Sequence, residues 1–142
     1  MLFGISKLIS PELIKILMEM GHGDEIVLAD GNFPAASHAR LLIRADGHAM
    51  PELLDAILAL LPLDPYVEKP AALMQVVPGD PAETPIWDDY RDIIARRTGL
   101  EEPFEHVERF AFYERAKQAY AVVATGEGAL YANLILKKGV MK

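Results

Sequence analysis

Apolar residues fall along this chain in short bursts of two kinds, and the alternation of those bursts predicts its architecture. Ser10-Pro11-Glu12 reads as a helix start: Ser can cap, Pro suits the first helical position, and Glu faces the positive helix end. Leu13, Ile14, Ile16, Leu17, Met18 and Met20 then supply an apolar face that stops at Gly21. A different pattern follows in Glu25-Ile26-Val27-Leu28-Ala29-Asp30, where successive apolar residues without alternation predict a strand buried on both faces. Gly31 to His38, with its Gly, Asn and Pro, reads as a loop.

The alternation continues to the end of the chain. Leu41-Leu42-Ile43 reads as a second short strand, closed by Ala45-Asp46-Gly47, and Pro51-Glu52 opens a helix whose apolar spacing runs to Leu61. Ala71 to Val77 is a third strand. Pro78 to Pro85, with three prolines and a glycine, is a loop. Trp87, Tyr90, Ile93 and Ile94 give the next helix its apolar face up to Thr98-Gly99. Phe104 to Arg109 reads as a short strand, Phe110 to Lys117 as a helix, Tyr120 to Ala124 as a buried strand, and Leu130 to Leu136 as the last strand. Strands alternating with helices predict a three-layer α/β domain, and with no repeat or linker the whole of 1–142 is read as one domain.

Composition narrows the partners. A formal charge of −7 argues against nucleic acid, whose phosphates need clustered Lys and Arg; Lys137 and Lys138 form the one dense basic pair. No apolar run approaches the roughly 18–20 residues of a membrane-spanning helix, and the first ten residues do not read as a signal peptide. The absence of cysteine excludes disulfide and thiolate chemistry and suits a reducing cytoplasm. A small neutral substrate fits this balance better than a polyanion.

Four places carry candidate chemistry. His22 lies between Gly21 and Gly23, where backbone can approach a ligand; imidazole ordinarily titrates near ~6.5 and suits proton transfer. An exposed loop histidine beside a helix cap is the stronger reading of that local sequence. Asp30 directly follows a buried strand, where open α/β sheets place ligands, although a loop-ordering aspartate is an equal alternative. An extended strand at about 3.3 Å per residue holds His22 and Asp30 more than ~15 Å apart, so they serve different sites or a pocket built between subunits. Tyr113 shares a helical face with Phe110 and Lys117 and reads first as a core-edge aromatic, though its phenol, with Arg109 nearby, could serve a sugar oxygen. Tyr131 and Asn133, two apart on the last predicted strand, form a polar pair suited to hydroxyl recognition, or the wet face of an edge strand. There is no Gly-x-Gly-x-x-Gly, no phosphate-cradling Gly-Lys-Ser/Thr loop, and no ligand-like spacing among His22, His38, His48 and His106.

Taken in order, Ile9-Ser10-Pro11-Glu12-Leu13, Met20-Gly21-His22-Gly23-Asp24-Glu25-Ile26, Leu28-Ala29-Asp30, Ile43-Arg44-Ala45-Asp46-Gly47, Arg109-Phe110-Ala111-Phe112-Tyr113-Glu114-Arg115-Ala116 and Tyr131 to Val140 resemble the RbsD/FucU family of sugar mutarotases and pyranases from end to end. The resemblance implies a single α/β/α domain with a central, mostly parallel (mixed) sheet. It implies His22 as the acid/base histidine and Tyr113 as a second catalytic residue. Asp30, Asp64, Arg109 and the segment Tyr131-Ala132-Asn133 fall on sugar-binding positions. It implies no cofactor and no metal, a monosaccharide as partner, and a ring-like homo-oligomer, with a decamer as the candidate size and sites near subunit contacts.

The Arg-Phe-x-Phe-Tyr-Glu-Arg segment resembles the fucose-type members and makes exchange of the α and β anomers of L-fucose the expected activity. D-ribose pyranase activity and a non-catalytic monosaccharide-binding module are the alternatives. Two departures bear on the subtype. Asn32 and Ala36 stand where some fucose-type members have histidine, so they are given no role. Tyr-Ala-Asn at 131–133 also occurs in ribose-type members, where fucose-type members often have Tyr-Gly-Asn.

Overall fold

The computed structural model describes residues 1–142. Its elements run α1 (Pro11–Glu19), β1 (Glu25–Ala29), α2 (Ala35–His38), β2 (Leu42–Ala45), α3 (Met50–Leu58), β3 (Ala71–Met74), α4 (Pro85–Thr98), β4 (Phe104–Val107), α5 (Arg109–Gln118), β5 (Ala121–Thr125) and β6 (Leu134–Lys137). The strands form one six-stranded sheet in the order β2-β5-β1-β6-β3-β4. β1, β2 and β5 pair in parallel, as do β3 and β4, while β6 lies antiparallel between β1 and β3. Five strands therefore point one way and β6 alone points the other, which is the mostly parallel, mixed sheet expected.

The strands read as unalternating because both their faces are covered. Ile26 and Leu28 of β1 pack with α1, α3 and α4 in a cluster of 28 buried residues, while Val27 and Ala29 face a cluster of 12 that includes Phe112 and Ala116 of α5. The larger cluster makes the three-helix side the main core; on the other side small alanines let α5 lie close to the sheet. Ser10 caps α1 by accepting from the Leu13 amide at 3.1 Å, and Gly99 ends α4 in the left-handed conformation with φ 80°. No helix is long and apolar enough to cross a membrane.

Several expected boundaries need correction. The segment Gly31 to His38 is not all loop, because Ala35–His38 closes one helical turn, with the Ala39 amide donating to Ala35 O. A single turn has no periodicity to read. The helix read as running from Pro51 to Leu61 ends at Leu58, where the Leu60 and Leu61 amides both turn back to Ile57 O ahead of Pro62. The last strand begins at Leu134 rather than Leu130. Tyr131 has a φ of 54°, and the Tyr131 and Ala132 carbonyls accept from side chains of α4 instead of a neighbouring strand. β3 and β4 also stop sooner than expected, at Met74 and Val107.

Candidate active site

Because β6 runs against the other five strands, its beginning meets their ends. One edge of the sheet thus gathers Asp30 after β1, Val77 after β3, Arg109 after β4 and Asn133 before β6. They line an open cleft of about 240 Å³ together with Asn32, Phe33, Met74, Asp80, Tyr113, Leu130 and Tyr131.

Asp30 is buried, and its carboxylate is held on both oxygens: Oδ1 accepts from the Asn32 amide at 3.0 Å, and Oδ2 from the Ala132 amide at 3.3 Å. Burial pushes its carboxyl above the ordinary aspartate range, against the downward pull of the Asn32, Ala132 and Phe33 backbone amides. The Asp30 amide itself donates to Asn133 Oδ1 at 2.8 Å. That bond orients the Asn133 side chain and leaves its NH₂ group as a donor for the cleft. Tyr131 and Asn133 thus reach the same cleft from the irregular backbone before β6, not from the face of a strand.

The opposite wall comes from α5. Glu108 caps this helix by accepting from the Ala111 amide at 3.0 Å, which starts it at Arg109 and sets Arg109 and Tyr113 one turn apart. Arg109 Nε donates to Tyr113 Oη at 3.2 Å, and its guanidinium lies 5.1 Å and 5.5 Å from the Phe110 and Tyr113 ring centres. The Tyr113 ring is fixed by Phe33 at 5.5 Å and His38 at 5.2 Å. The Tyr113 hydroxyl accepts from Arg109 and donates to no protein group, so its proton is available.

His22 and Asp64 are elsewhere. They meet at the other edge of the sheet, where His22 Nε2 lies 3.1 Å from Asp64 Oδ1. Both hang on the end of β6: the Gly23 amide donates to Lys138 O at 2.8 Å and the Asp64 amide to Lys137 O at 3.0 Å. Gly23 takes a φ of 88° in this turn, a conformation that side chains disfavour. Asp64 is buried, and its carboxyl is held below the ordinary aspartate range by the Tyr66 amide first, then by His22 and the nearby Lys137. The Tyr66 ring packs 5.4 Å from the His22 ring. The histidine side chain is half exposed, and its Nε2 is the nitrogen engaged by the carboxylate.

The site residues therefore form two groups within one chain. Asp30, Arg109, Tyr113, Tyr131 and Asn133 line the cleft, and Ala132 contributes through its backbone; His22 lies beyond the far end of β1, as its distance in extended chain from Asp30 requires, and Asp64 is beside it. Sequence reasoning missed Phe33, Met74 and Val77, which read as ordinary apolar residues, and Asp80, which lies in a proline-rich loop with no motif. It also gave no role to Asn32, whose signal was its place two residues after Asp30, where an amide commonly turns back to an aspartate. No three or more His, Asp or Glu side chains converge as a metal site.

The sequence matches the RbsD / FucU transport protein family over residues 3–141. A human fucose mutarotase is 58% identical over 144 residues, covering 97% of this chain and 93% of the relative. The crystal structure of a Streptococcus pneumoniae fucose mutarotase in complex with L-fucose is 56% identical, with a TM-score of 0.95, and covers 99% of this chain and 100% of that one. The structure of Bacillus subtilis RbsD complexed with D-ribose is more distant, 25% identical with a TM-score of 0.70 over 94% of this chain and 95% of that one. With the matched residues spanning nearly all of both the chain and these relatives, the protein belongs to the RbsD/FucU family.

Proposed function

We propose that this protein is an L-fucose mutarotase, an isomerase that exchanges the α and β anomers of the free sugar by opening and reclosing its ring. The observation that carries this reading is the near-complete likeness to fucose mutarotases, with 56% identity to one whose structure holds L-fucose, against 25% to the ribose-bound relative. The cleft suits such a sugar. Asp30 offers acceptors and Arg109 and Asn133 offer donors for hydroxyls, while Phe33, Met74 and Val77 offer an apolar wall for the methyl group of a 6-deoxyhexose.

Ring opening breaks the C1–O5 bond. It needs a proton delivered to O5 and another removed from the anomeric hydroxyl, which becomes the aldehyde oxygen. Rotation about C1–C2 and the reverse transfers then close the ring on the other face. One general acid and one general base suffice, each typically contributing about 10²–10⁴-fold. We assign these transfers to His22 and Tyr113, with Asp30, Arg109, Tyr131, the Ala132 backbone and Asn133 holding the hydroxyls. Asp64 keeps the His22 ring oriented and, with it, faces the sugar.

His22 and Tyr113 lie at opposite edges of one subunit's sheet, so the site we propose is composite: the His22–Asp64 edge of one subunit completes the cleft of its neighbour in a ring-like homo-oligomer. The exposed Leu130 and Phe110 near the cleft, and the exposed Tyr66 beside His22, give each edge apolar surface for such a contact. We place the activity in the cytoplasm, which a cysteine-free chain suits.

Saturation-transfer NMR between the α and β anomeric protons tests the reading, with L-fucose and D-ribose run in parallel at neutral pH. Exchange accelerated for L-fucose well beyond D-ribose is expected. Acceleration of D-ribose alone would overturn the substrate, and no acceleration of either sugar by folded protein would overturn the enzyme.

A further inference from the structure

Asp80 belongs to the loop between β3 and α4, has no place in the acid/base scheme above, and yet lines the cleft beside Tyr131. Its carboxylate makes two bonds. Oδ2 lies 2.5 Å from Tyr131 Oη, and Oδ1 accepts from the Ala82 amide at 2.9 Å. Those two bonds, the phenol first, hold the Asp80 carboxyl below the ordinary aspartate range, so it is an ionised acceptor at neutral pH.

A phenol has one proton to give and two lone pairs. The proton of Tyr131 goes to Asp80, and the Val77 amide, 3.3 Å from Oη, points at one lone pair. What Tyr131 has left for a ligand is an acceptor and no donor. The backbone beneath it is fixed as well. Tyr131 stands at φ 54°, a left-handed conformation that a bulky residue rarely adopts. Trp87 Nε1 donates to its carbonyl at 2.7 Å and Tyr90 Oη to the next carbonyl, that of Ala132, also at 2.7 Å. The hydroxyl is thus aimed by the main chain and polarised by Asp80.

We infer that Asp80 is a specificity-determining positioning residue: by taking the Tyr131 proton it makes that corner of the cleft accept-only, so that the sugar must present a hydroxyl hydrogen there. Arg109 and the Asn133 amide supply donors from the other sides of the cleft, and the substrate is oriented by which of its hydroxyls give and which receive. This inference rests on the mutarotase reading.

The test uses L-fucose and its three analogues in which the C2, C3 or C4 hydroxyl is replaced in turn by fluorine, which can accept but not donate. For each, the enzyme-catalysed kcat/KM for anomer exchange is measured with wild type, Asp80→Asn and Tyr131→Phe. In the wild type one analogue should lose about tenfold or more relative to L-fucose, the size expected when a hydrogen bond to a charge-polarised acceptor is missing. Asp80→Asn frees the phenol proton to turn into the cleft, and Tyr131→Phe removes the acceptor; in both, that discrimination should shrink to within about twofold. Asp80→Glu, which keeps the charge, should retain most of it.

Loss of activity on L-fucose and on all analogues by one common factor, with discrimination unchanged in both variants, would overturn the inference and leave Asp80 a purely structural tie. Wild type with no analogue discrimination at any position would overturn it too. Wild type inactive on L-fucose would instead overturn the mutarotase reading on which it rests.

Discussion

His22 Nε2 and Asp64 Oδ1 lie 3.1 Å apart, at the opposite end of β1 from Asp30. Five extended residues at about 3.3 Å each separate the two edges by roughly 16 Å. A proton cannot pass from His22 to a sugar lying against Asp30 of the same chain, so the chemistry needs two subunits or a different acid.

Mixing inactive variants tests this directly. His22→Ala and Tyr113→Phe should each lower anomer exchange by about 10²-fold or more while leaving the far-ultraviolet circular dichroism unchanged, because His22 is half exposed and the Tyr113 ring survives. Dissociating the two variants and reassembling them in equal amounts should restore roughly a quarter of wild-type activity, since that fraction of shared sites draws both intact residues. Mixtures that stay inactive after verified subunit exchange would show that no site is shared.

Among the three carboxylates at the proposed site, Asp30 should be the most sensitive to acid. Its carboxyl is raised above the ordinary range by burial, whereas Asp64 and Asp80 are lowered by the hydrogen bonds they accept. As pH falls, Asp30 is therefore the first of the three to protonate and lose its acceptor character, and kcat/KM for L-fucose should fall there. Its linkage to folding has the opposite sign. A raised carboxyl adds stability that is fully present below the unfolded value near ~3.9 and is lost as pH rises through the folded one. Activity should thus fail on acidification before the fold does, which parallel rate and circular dichroism titrations would reveal; coincident loss would argue against Asp30.

Gly139 should prove indispensable to the His22 edge. A Cβ at this position would lie 2.5 Å from the Leu63 carbonyl oxygen and 2.8 Å from the Asp64 Cα, both rigid backbone. Gly139→Ala should cost about 1–3 kcal/mol in urea unfolding and, by pushing Asp64 away from His22, depress kcat more than KM. A variant with wild-type stability and kcat would remove Asp64 placement from the argument.

Much of this was legible in the chain itself, for local reasons. Ser10-Pro11 announces α1, and Ile26 to Ala29 announce a strand covered on both faces. Asp30 then stands where such a strand ends, and strand length alone separates it from His22. What stayed hidden was long-range or non-periodic. One turn of helix at Ala35–His38 leaves no pattern. The apolar run from Leu130 looks like strand throughout, because nothing local shows that Trp87 and Tyr90 will claim its first carbonyls. The reversed direction of β6 has no sequence signature at all, yet it is what brings Asn133 to the Asp30 edge and Lys137 to the Asp64 edge.

That strand also sets when the molecule can finish folding. β6 is the last strand in chain order but sits in the middle of the sheet, joining β2-β5-β1 to β3-β4. Until the ribosome has released residues past Lys137, the nascent chain can hold two half-sheets but no seam between them. Asn133 beside Asp30, and the Lys137 and Lys138 carbonyls that hold Asp64 and Gly23, are then set in place by one late event, so a chain that stalls before β6 leaves both edges of the sheet unfinished.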